Sequence, residues 1–258
     1  MLIRSISAAL MVLASMGAQA APVAPVYDTF GNLAGATFGG SGIPTNPTAI
    51  TTFSHANGNL PASTITLGLT AHQRFSNPAL GNNGAGIYTA TPGENNGLSL
   101  PPSPNIYATW NFAFYIDSST GSLAEMMGGA DPLTFQLFYD TDPTVGNDIS
   151  TYGRIEFNSG AQLLAAISRV QDSYNLDMDF LNDGVAGSVF APLVAFDPDA
   201  QGEYGFVLRA TEENNVTHQS AILVNVGSPA NNVPEPGTLA LLGLALAGMG
   251  VVRSRRKA

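Results

Sequence analysis

The sequence contains no cysteine and few charged residues. The absence of cysteine among 258 residues excludes a disulfide framework, a thiol nucleophile and any Cys-ligated zinc or iron–sulfur site. Charged residues make up 11% of the chain, less than half of the roughly 25% found in an ordinary soluble domain. Nine Lys and Arg against 19 Asp and Glu give a formal charge of −10. This acidic balance argues against a nucleic-acid partner.

The few basic residues are concentrated at the two ends of the chain. Five of the nine lie there, and only four are left for the long middle segment: Arg74, Arg154, Arg169 and Arg209. Residues 21–233 therefore combine four basic with 18 acidic residues, a formal charge of −14. Since 45% of the chain is apolar, this acidic segment can still bury a hydrophobic core.

Residues 1–20 have the pattern of a signal peptide. Arg4 precedes a short apolar stretch that runs to Met16, and Ala18 and Ala20 form the small-residue pattern that signal peptidase recognises. We expect signal peptidase to release a mature chain that begins at Ala21. The segment predicts export across the inner membrane.

The other end of the chain combines three features in a fixed order. A Pro234-Glu235-Pro236 motif precedes an apolar run over residues 238–252, and the basic residues Arg253, Arg255, Arg256 and Lys257 follow. A 15-residue helix reaches only about 22 Å of the ~30 Å hydrocarbon core, but snorkelling side chains and local thinning close much of that gap. The sequence predicts a short transmembrane helix whose basic tail stays in the cytoplasm.

This arrangement over residues 233–258 resembles the PEP-CTERM sorting signal of exported bacterial proteins. The resemblance implies a Gram-negative, exopolysaccharide-producing host and an exosortase-type membrane enzyme that recognises Pro234, Glu235 and Pro236. It also implies transient anchoring in the inner membrane, followed by delivery to the cell surface or the extracellular matrix. The role it suggests is a structural or adhesive, non-enzymatic one in the exopolysaccharide or biofilm matrix.

The segment between the two ends predicts an all-β fold. Its apolar residues alternate with period two, as in strands with one buried face, and Gly, Pro, Asn and Asp clusters separate most of these runs. We expect a single antiparallel β-sandwich, jelly-roll-like, over residues 60–232. Residues 21–59 form either a Gly/Pro/Thr-rich arm that leads into it or its first strands. Strands are expected within residues 64–75, 106–116, 133–139, 152–157, 176–180, 188–196, 204–208 and 222–226, and one helix over 161–169.

No catalytic motif is evident in this segment. The three histidines, His55, His72 and His218, have no spacing that places two on one face. The sequence also lacks the G-x-S-x-G pattern of a nucleophile elbow. We therefore expect no catalytic residue and no enzymatic activity. A secreted hydrolase assembled from distant residues is an open alternative, because a Ser/His/Asp triad or a carboxylate pair needs no local motif.

One acidic segment is a candidate metal site. Side-chain oxygens of Asp140, Asp142, Asn147 and Asp148 surround a Gly-containing turn and could gather on a hard cation such as calcium. A hairpin turn in which Asp and Asn bond their own backbone explains the same residues. Calcium is the only cofactor that the sequence suggests, and a calcium-assisted carbohydrate-binding module is the corresponding alternative function.

Overall fold

A computed structural model describes residues 22–74, 79–95, 107–157 and 167–227. The helical elements in these ranges are two single α-helical turns and a 3₁₀ turn at Ile149–Thr151. The elements in chain order are β1 (Thr29–Gly31), β2 (Thr48–His55), β3 (Ser63–Gln73), β4 (Gly81–Asn82), β5 (Ile87–Ala90), β6 (Trp110–Ser118), α1 (Leu123–Met127), β7 (Thr134–Tyr139), β8 (Gly153–Phe157), β9 (Arg169–Tyr174), α2 (Asp179–Asp183), β10 (Val189–Phe190), β11 (Gly202–Thr211) and β12 (Thr217–Val226).

The strands form two sheets, which confirms the predicted all-β class. The five-stranded sheet has the order β1-β2-β3-β6-β9, and the seven-stranded sheet has the order β10-β8-β7-β11-β12-β5-β4. Every neighbouring pair is antiparallel except β5 and β12, where Ile87 pairs with Leu223 in a parallel register. The expectation of purely antiparallel pairing is wrong at this position, because β5 enters the sheet beside the last described strand rather than through a hairpin with it.

The core lies between the inner faces of the two sheets. Alternate residues of β3 and β6 face alternate residues of β11 and β12, as the period-two pattern requires. Phe112 of β6 stacks on Phe206 of β11, with ring centroids 4.6 Å apart. The period-two pattern expected within residues 106–116 is met in β6, since alternate residues belong to the main core: Trp110, Phe112, Phe114 and Ile116.

The predicted strand over residues 176–180 is wrong. β9 ends at Tyr174, and α2 begins at Asp179. The strand ends here because the Asn175 side chain turns back and donates to the carbonyls of Ala108 and Trp110 at 3.0 and 2.8 Å. Asp177 accepts a hydrogen bond from the Ala108 amide at 2.6 Å. Short apolar patterns fit a helical turn as well as a strand, and periodicity alone does not separate the two.

Other expectations are met in part. Only Val189–Phe190 is a strand within residues 188–196, and residues 29–31 and 48–55 contribute β1 and β2 to the five-stranded sheet. The expected helix over 161–169 cannot reach its last residue, because Arg169 begins β9; residues 161–166 lie outside the described ranges. The signal-peptide and sorting segments lie outside them as well. In the part of the chain that the structure describes, no helix is long and apolar enough to cross a membrane.

A loop over residues 32–45 covers part of the outer face of the five-stranded sheet. Its Leu33 and Phe38 pack against Ala113 and Tyr115 of β6 in a small second core. The side-chain carbonyl of Gln171, on β9, accepts hydrogen bonds from the amides of Thr37 and Phe38, both at 2.8 Å. These contacts hold the loop over the sheet, and a cleft lies beside them.

Candidate functional site

The acidic turn predicted as a calcium site is closed by its own hydrogen bonds. Asp140 accepts from the Asp142 amide at 3.1 Å. The Asn147 side chain donates to the other Asp140 oxygen at 3.3 Å and to the Asp142 carbonyl at 2.8 Å. Asp148 does not join them, because its carboxylate accepts from the Ser150 amide at 2.8 Å and caps the 3₁₀ turn. The structure thus brings three of the four predicted residues together.

The atoms that this turn presents are poorly suited to bind a cation. Asn147 presents its NH₂ group to Asp140, whereas calcium needs carbonyl and carboxylate oxygens. Burial raises the pKa of Asp140 to about 7, although hydrogen bonds from Asp142 and Asn147 oppose the shift. Among the described residues, no group of three or more His, Asp or Glu side chains is placed to hold a metal ion. Calcium binding stays a prediction from the sequence.

A cleft lies on the outer face of the five-stranded sheet. It has a volume of about 460 Å³ and opens between the residue 38–43 loop and the ends of β3, β6 and β9. Its lining combines apolar side chains, backbone of the glycine-rich loop and several polar side chains. The polar side chains are Ser41, His72, Gln73, Arg74, Asn111, Asp172 and Ser173.

Two of these side chains form a directed hydrogen bond. The Nε2 atom of His72 lies 2.7 Å from Oγ of Ser173, and Nδ1 lies 2.8 Å from the carbonyl oxygen of Gln73. A carbonyl oxygen can only accept, so Nδ1 must carry the ring hydrogen. In the neutral ring Nε2 then holds a lone pair, and the Ser173 hydroxyl donates to it. The tautomer therefore makes His72 the proton acceptor of this pair.

Two asparagines fix the orientation of the serine. Asn111 donates from Nδ2 to Ser173 Oγ at 2.9 Å. The orientation of Asn111 is set in turn by Asn175, whose Nδ2 donates to Asn111 Oδ1 at 2.8 Å. Asn175 is completely buried and is itself oriented, since its Oδ1 accepts from the Asp177 amide at 3.2 Å. In this chain of hydrogen bonds each group donates to the next, from the buried Asn175 through Asn111 and Ser173 to His72.

The environment of the cleft favours the neutral form of His72. The side chain is only 4% exposed, and burial lowers its pKa while the backbone hydrogen bond to Gln73 opposes the shift and the nearby Arg74 charge adds to it. Arg74 and Asp172 are the charged side chains in the lining. The Arg74 guanidinium lies 4.1 Å from the centre of the Tyr107 ring, and burial lowers its pKa as well, with Tyr107 and Asp177 opposing.

No local pattern in the sequence indicates this pair. His72, Asn111 and Ser173 lie on three strands that are far apart in the chain, and only the sheet register brings them together. His72 pairs with Asn111 across β3 and β6. Ser173 of β9 pairs with Ala113, two residues beyond Asn111 on β6 and therefore on the same face. The other two histidines have separate contacts. His55 Nε2 lies 3.0 Å from the Asp131 carbonyl oxygen, and His218 binds Glu212 at 2.9 Å.

Comparison with known proteins identifies the C-terminal segment. A family model described as the PEP-CTERM protein-sorting motif matches residues 232–257. The matched range contains Pro234–Pro236 and all four basic residues that follow the apolar run. Searches of the curated proteins and of the solved structures find no match to the chain. The chain therefore carries the sorting motif of the PEP-CTERM proteins and is an exported protein that an exosortase-type membrane enzyme sorts through a transient membrane anchor.

Proposed function

We propose that the protein is a structural or adhesive component of the exopolysaccharide or biofilm matrix of a Gram-negative bacterium. The sorting motif supports this proposal, because it directs the protein out of the cell. The observation that supports contact with polysaccharide is a patch of threonine hydroxyls on the outer face of the five-stranded sheet. Thr52 and Thr64 are exposed, Thr66 is half-buried, and Thr52 pairs directly with Thr66 across β2 and β3.

The chemistry of this hydroxyl patch suits a sugar polymer. Hydroxyl groups both donate and accept hydrogen bonds, as saccharide hydroxyls do, and they carry no charge that would need to be desolvated. The acidic body, with −14 over residues 21–233, limits self-association through repulsion. A β-sandwich formed by the two sheets would present this outer face without disturbing its core.

The position of the motif supports display of the folded body at the membrane. β12 ends at Val226, and the matched motif begins at residue 232. The link from Gly227 to Pro234 spans at most about 25 Å when fully extended. The anchored body therefore stays close to the membrane until the sorting enzyme acts.

Sorting is tested in the native host by mass spectrometry of the mature protein. We expect recovery of a C-terminus at or near Pro234–Pro236, which is lost when the sorting enzyme is deleted. Glu235→Ala should leave the uncut chain in the inner membrane, whereas Glu213→Ala, at an exposed position in the body, should be sorted normally. A surface protein that keeps its basic tail would show that the segment is an ordinary anchor.

The polysaccharide contact is tested with the full chain and matched variants of the patch. Replacing Thr52, Thr64 and Thr66 by Val keeps the β-branched shape and removes the hydroxyl groups, whereas replacing them by Ser keeps the hydroxyls. We expect the Val variant to be sorted but to be washed out of the matrix fraction more readily than the Ser variant and the wild type. Equal retention of all three proteins would refute the adhesive role of this patch and would leave the sorting result unaffected.

A further inference from the structure

We propose that Ser173 and His72 form the nucleophile and general base of an acyl-transfer site that hydrolyses carboxylic esters with a short acyl chain. This activity goes beyond the matrix role, which needs no catalysis. It also departs from the expectation of a non-enzymatic body, in favour of the hydrolase alternative. Three features of the cleft support this activity: the hydrogen bonds of His72, the orientation of Ser173 and the composition of the lining.

The geometry has the features of an activated serine. A nucleophile and its base must lie within about 2.6–3.2 Å, with the base oriented by a third group. The Oγ–Nε2 distance here is 2.7 Å, and the Gln73 carbonyl orients the ring through Nδ1 at 2.8 Å. Ser173 is partly exposed and lines the cleft, so its oxygen is within reach of a ligand.

The bond from Asn111 leaves the serine able to react. A hydroxyl oxygen has two lone pairs, and Asn111 occupies one of them at 2.9 Å. The O–H group points to His72, so the second lone pair is left for attack on an electrophile. A role in holding the strands together does not account for this arrangement, because backbone pairing already joins β3 to β6 and β6 to β9.

The reaction balances with water as the second substrate. The Ser173 oxygen bonds to the ester carbonyl carbon while its proton moves to Nε2 of His72. The bond from carbon to the alcohol oxygen then breaks, and that oxygen takes the proton from Nε2 and leaves as an alcohol. Water attacks the acyl-serine in the same way, giving up a proton to Nε2, and the Ser173 oxygen takes this proton back as the carboxylic acid is released.

The lining of the cleft limits the substrate class. Phe38, Ile43 and Met178 provide an apolar wall for a short acyl chain, and polar side chains occupy the rest. A cavity of about 460 Å³ is at the small end of ligand pockets. Arg74 is the cation in the lining, and it is the side chain suited to the negative charge that develops on the carbonyl oxygen. No carboxylate bonds to Nδ1, so turnover should be modest.

The first test uses the full-length chain in detergent and a fluorophosphonate probe, with the labelled peptide identified by mass spectrometry. We expect labelling at Ser173 and hydrolysis of p-nitrophenyl acetate, both reduced at least about 100-fold in Ser173→Ala and in His72→Gln. Ser150→Ala, at an exposed serine outside the cleft, should behave as the wild type. Thermal unfolding of each variant shows whether it has folded. Turnover by Ser173→Ala equal to that of the wild type overturns the proposal.

A second test does not depend on the choice of ester. Because the chain has no cysteine, Ser173→Cys introduces a single thiol whose alkylation by iodoacetamide can be followed against pH. An ordinary thiol has a pKa near 8.5, and a neighbouring histidine base lowers it. We expect the pH midpoint of alkylation for Ser173→Cys to lie at least about one pH unit below that for Ser150→Cys. Adding His72→Gln to Ser173→Cys should abolish this difference. Arg74 and Asp172 remain in the cleft lining in both proteins, so they do not account for a change that depends on His72. Equal midpoints in the two single-cysteine proteins refute the base role of His72.

Discussion

The imidazole ring of His218 stacks on the ring of Phe53, with centroids 3.8 Å apart and planes inclined by 3°. His218 lies on β12 of the seven-stranded sheet, and Phe53 lies on β2 of the five-stranded sheet. The stack therefore joins the two sheets near one end of the core. Nε2 of the same ring donates to a carboxylate oxygen of Glu212 at 2.9 Å, which fixes the plane of the imidazole against Phe53.

Glu212 should make the stability of the protein sensitive to acid. The hydrogen bond from His218 lowers the pKa of Glu212, and burial opposes this shift. A lowered native pKa stabilises the fold above the unfolded value of 4.5, and this contribution is lost as the pH falls through the native pKa. We expect Glu212→Gln to be less stable than the wild type at pH 7, with a difference that shrinks towards pH 3. Urea unfolding at several pH values measures it, and Glu213→Gln is the neighbouring control. A difference that stays constant over this range would contradict the role of the Glu212 carboxylate.

Asp140 should make the protein less stable as the pH rises, the opposite of the effect of Glu212. Burial raises its pKa to about 7 from 3.8, so the native state holds the proton more tightly than the unfolded chain does. The resulting stability is fully present below pH 3.8 and is lost as the pH rises through about 7. Three pKa units correspond to about 4 kcal/mol. The free energy of unfolding of the wild type should therefore fall by about this amount between pH 4 and pH 8, and Asp140→Asn should abolish the fall. The slope of the unfolding free energy against pH is compared, because any pH-independent loss of stability caused by the substitution does not change this slope. Parallel curves for the two proteins would show that Asp140 does not titrate in this range.

Calcium should have little effect on this turn. Asn147 directs a donor at Asp140, and Asp148 is engaged by the Ser150 amide, so few oxygens remain to replace the water around the ion. We expect millimolar calcium to change the melting temperature by no more than the same concentration of magnesium does. A rise in melting temperature with calcium but not with magnesium, absent in Asp140→Ala/Asp142→Ala, would instead establish the cation site. It would then favour the alternative of a calcium-assisted carbohydrate-binding module.

The strands could be predicted where apolar residues alternate along the sequence, and the cleft could not. β6 and β11 show this period-two spacing because one face of each lies in the main core, although Ala113, Tyr115 and Val207 on their other faces are buried as well. The segment after Tyr174 has the same spacing, but the Asn175 side chain ends the strand by bonding to backbone carbonyls. His72 and Ser173 meet only through the register of three strands, a long-range property that no local pattern encodes.

Gly153 should be intolerant of any side chain because of its contact with Tyr139. A Cβ atom at this position would overlap two atoms of the Tyr139 ring. That ring is completely buried, and its hydroxyl donates to the Leu181 carbonyl at 2.7 Å. The ring cannot move without losing this bond, so Gly153→Ala should cost at least about 2 kcal/mol of unfolding free energy. Gly81→Ala is the matched control, because it also lies in a strand and a Cβ there meets nothing within 4 Å. Chemical denaturation of both variants checks the contact, and equal losses of stability would show that close approach to Tyr139 is not what requires glycine at position 153.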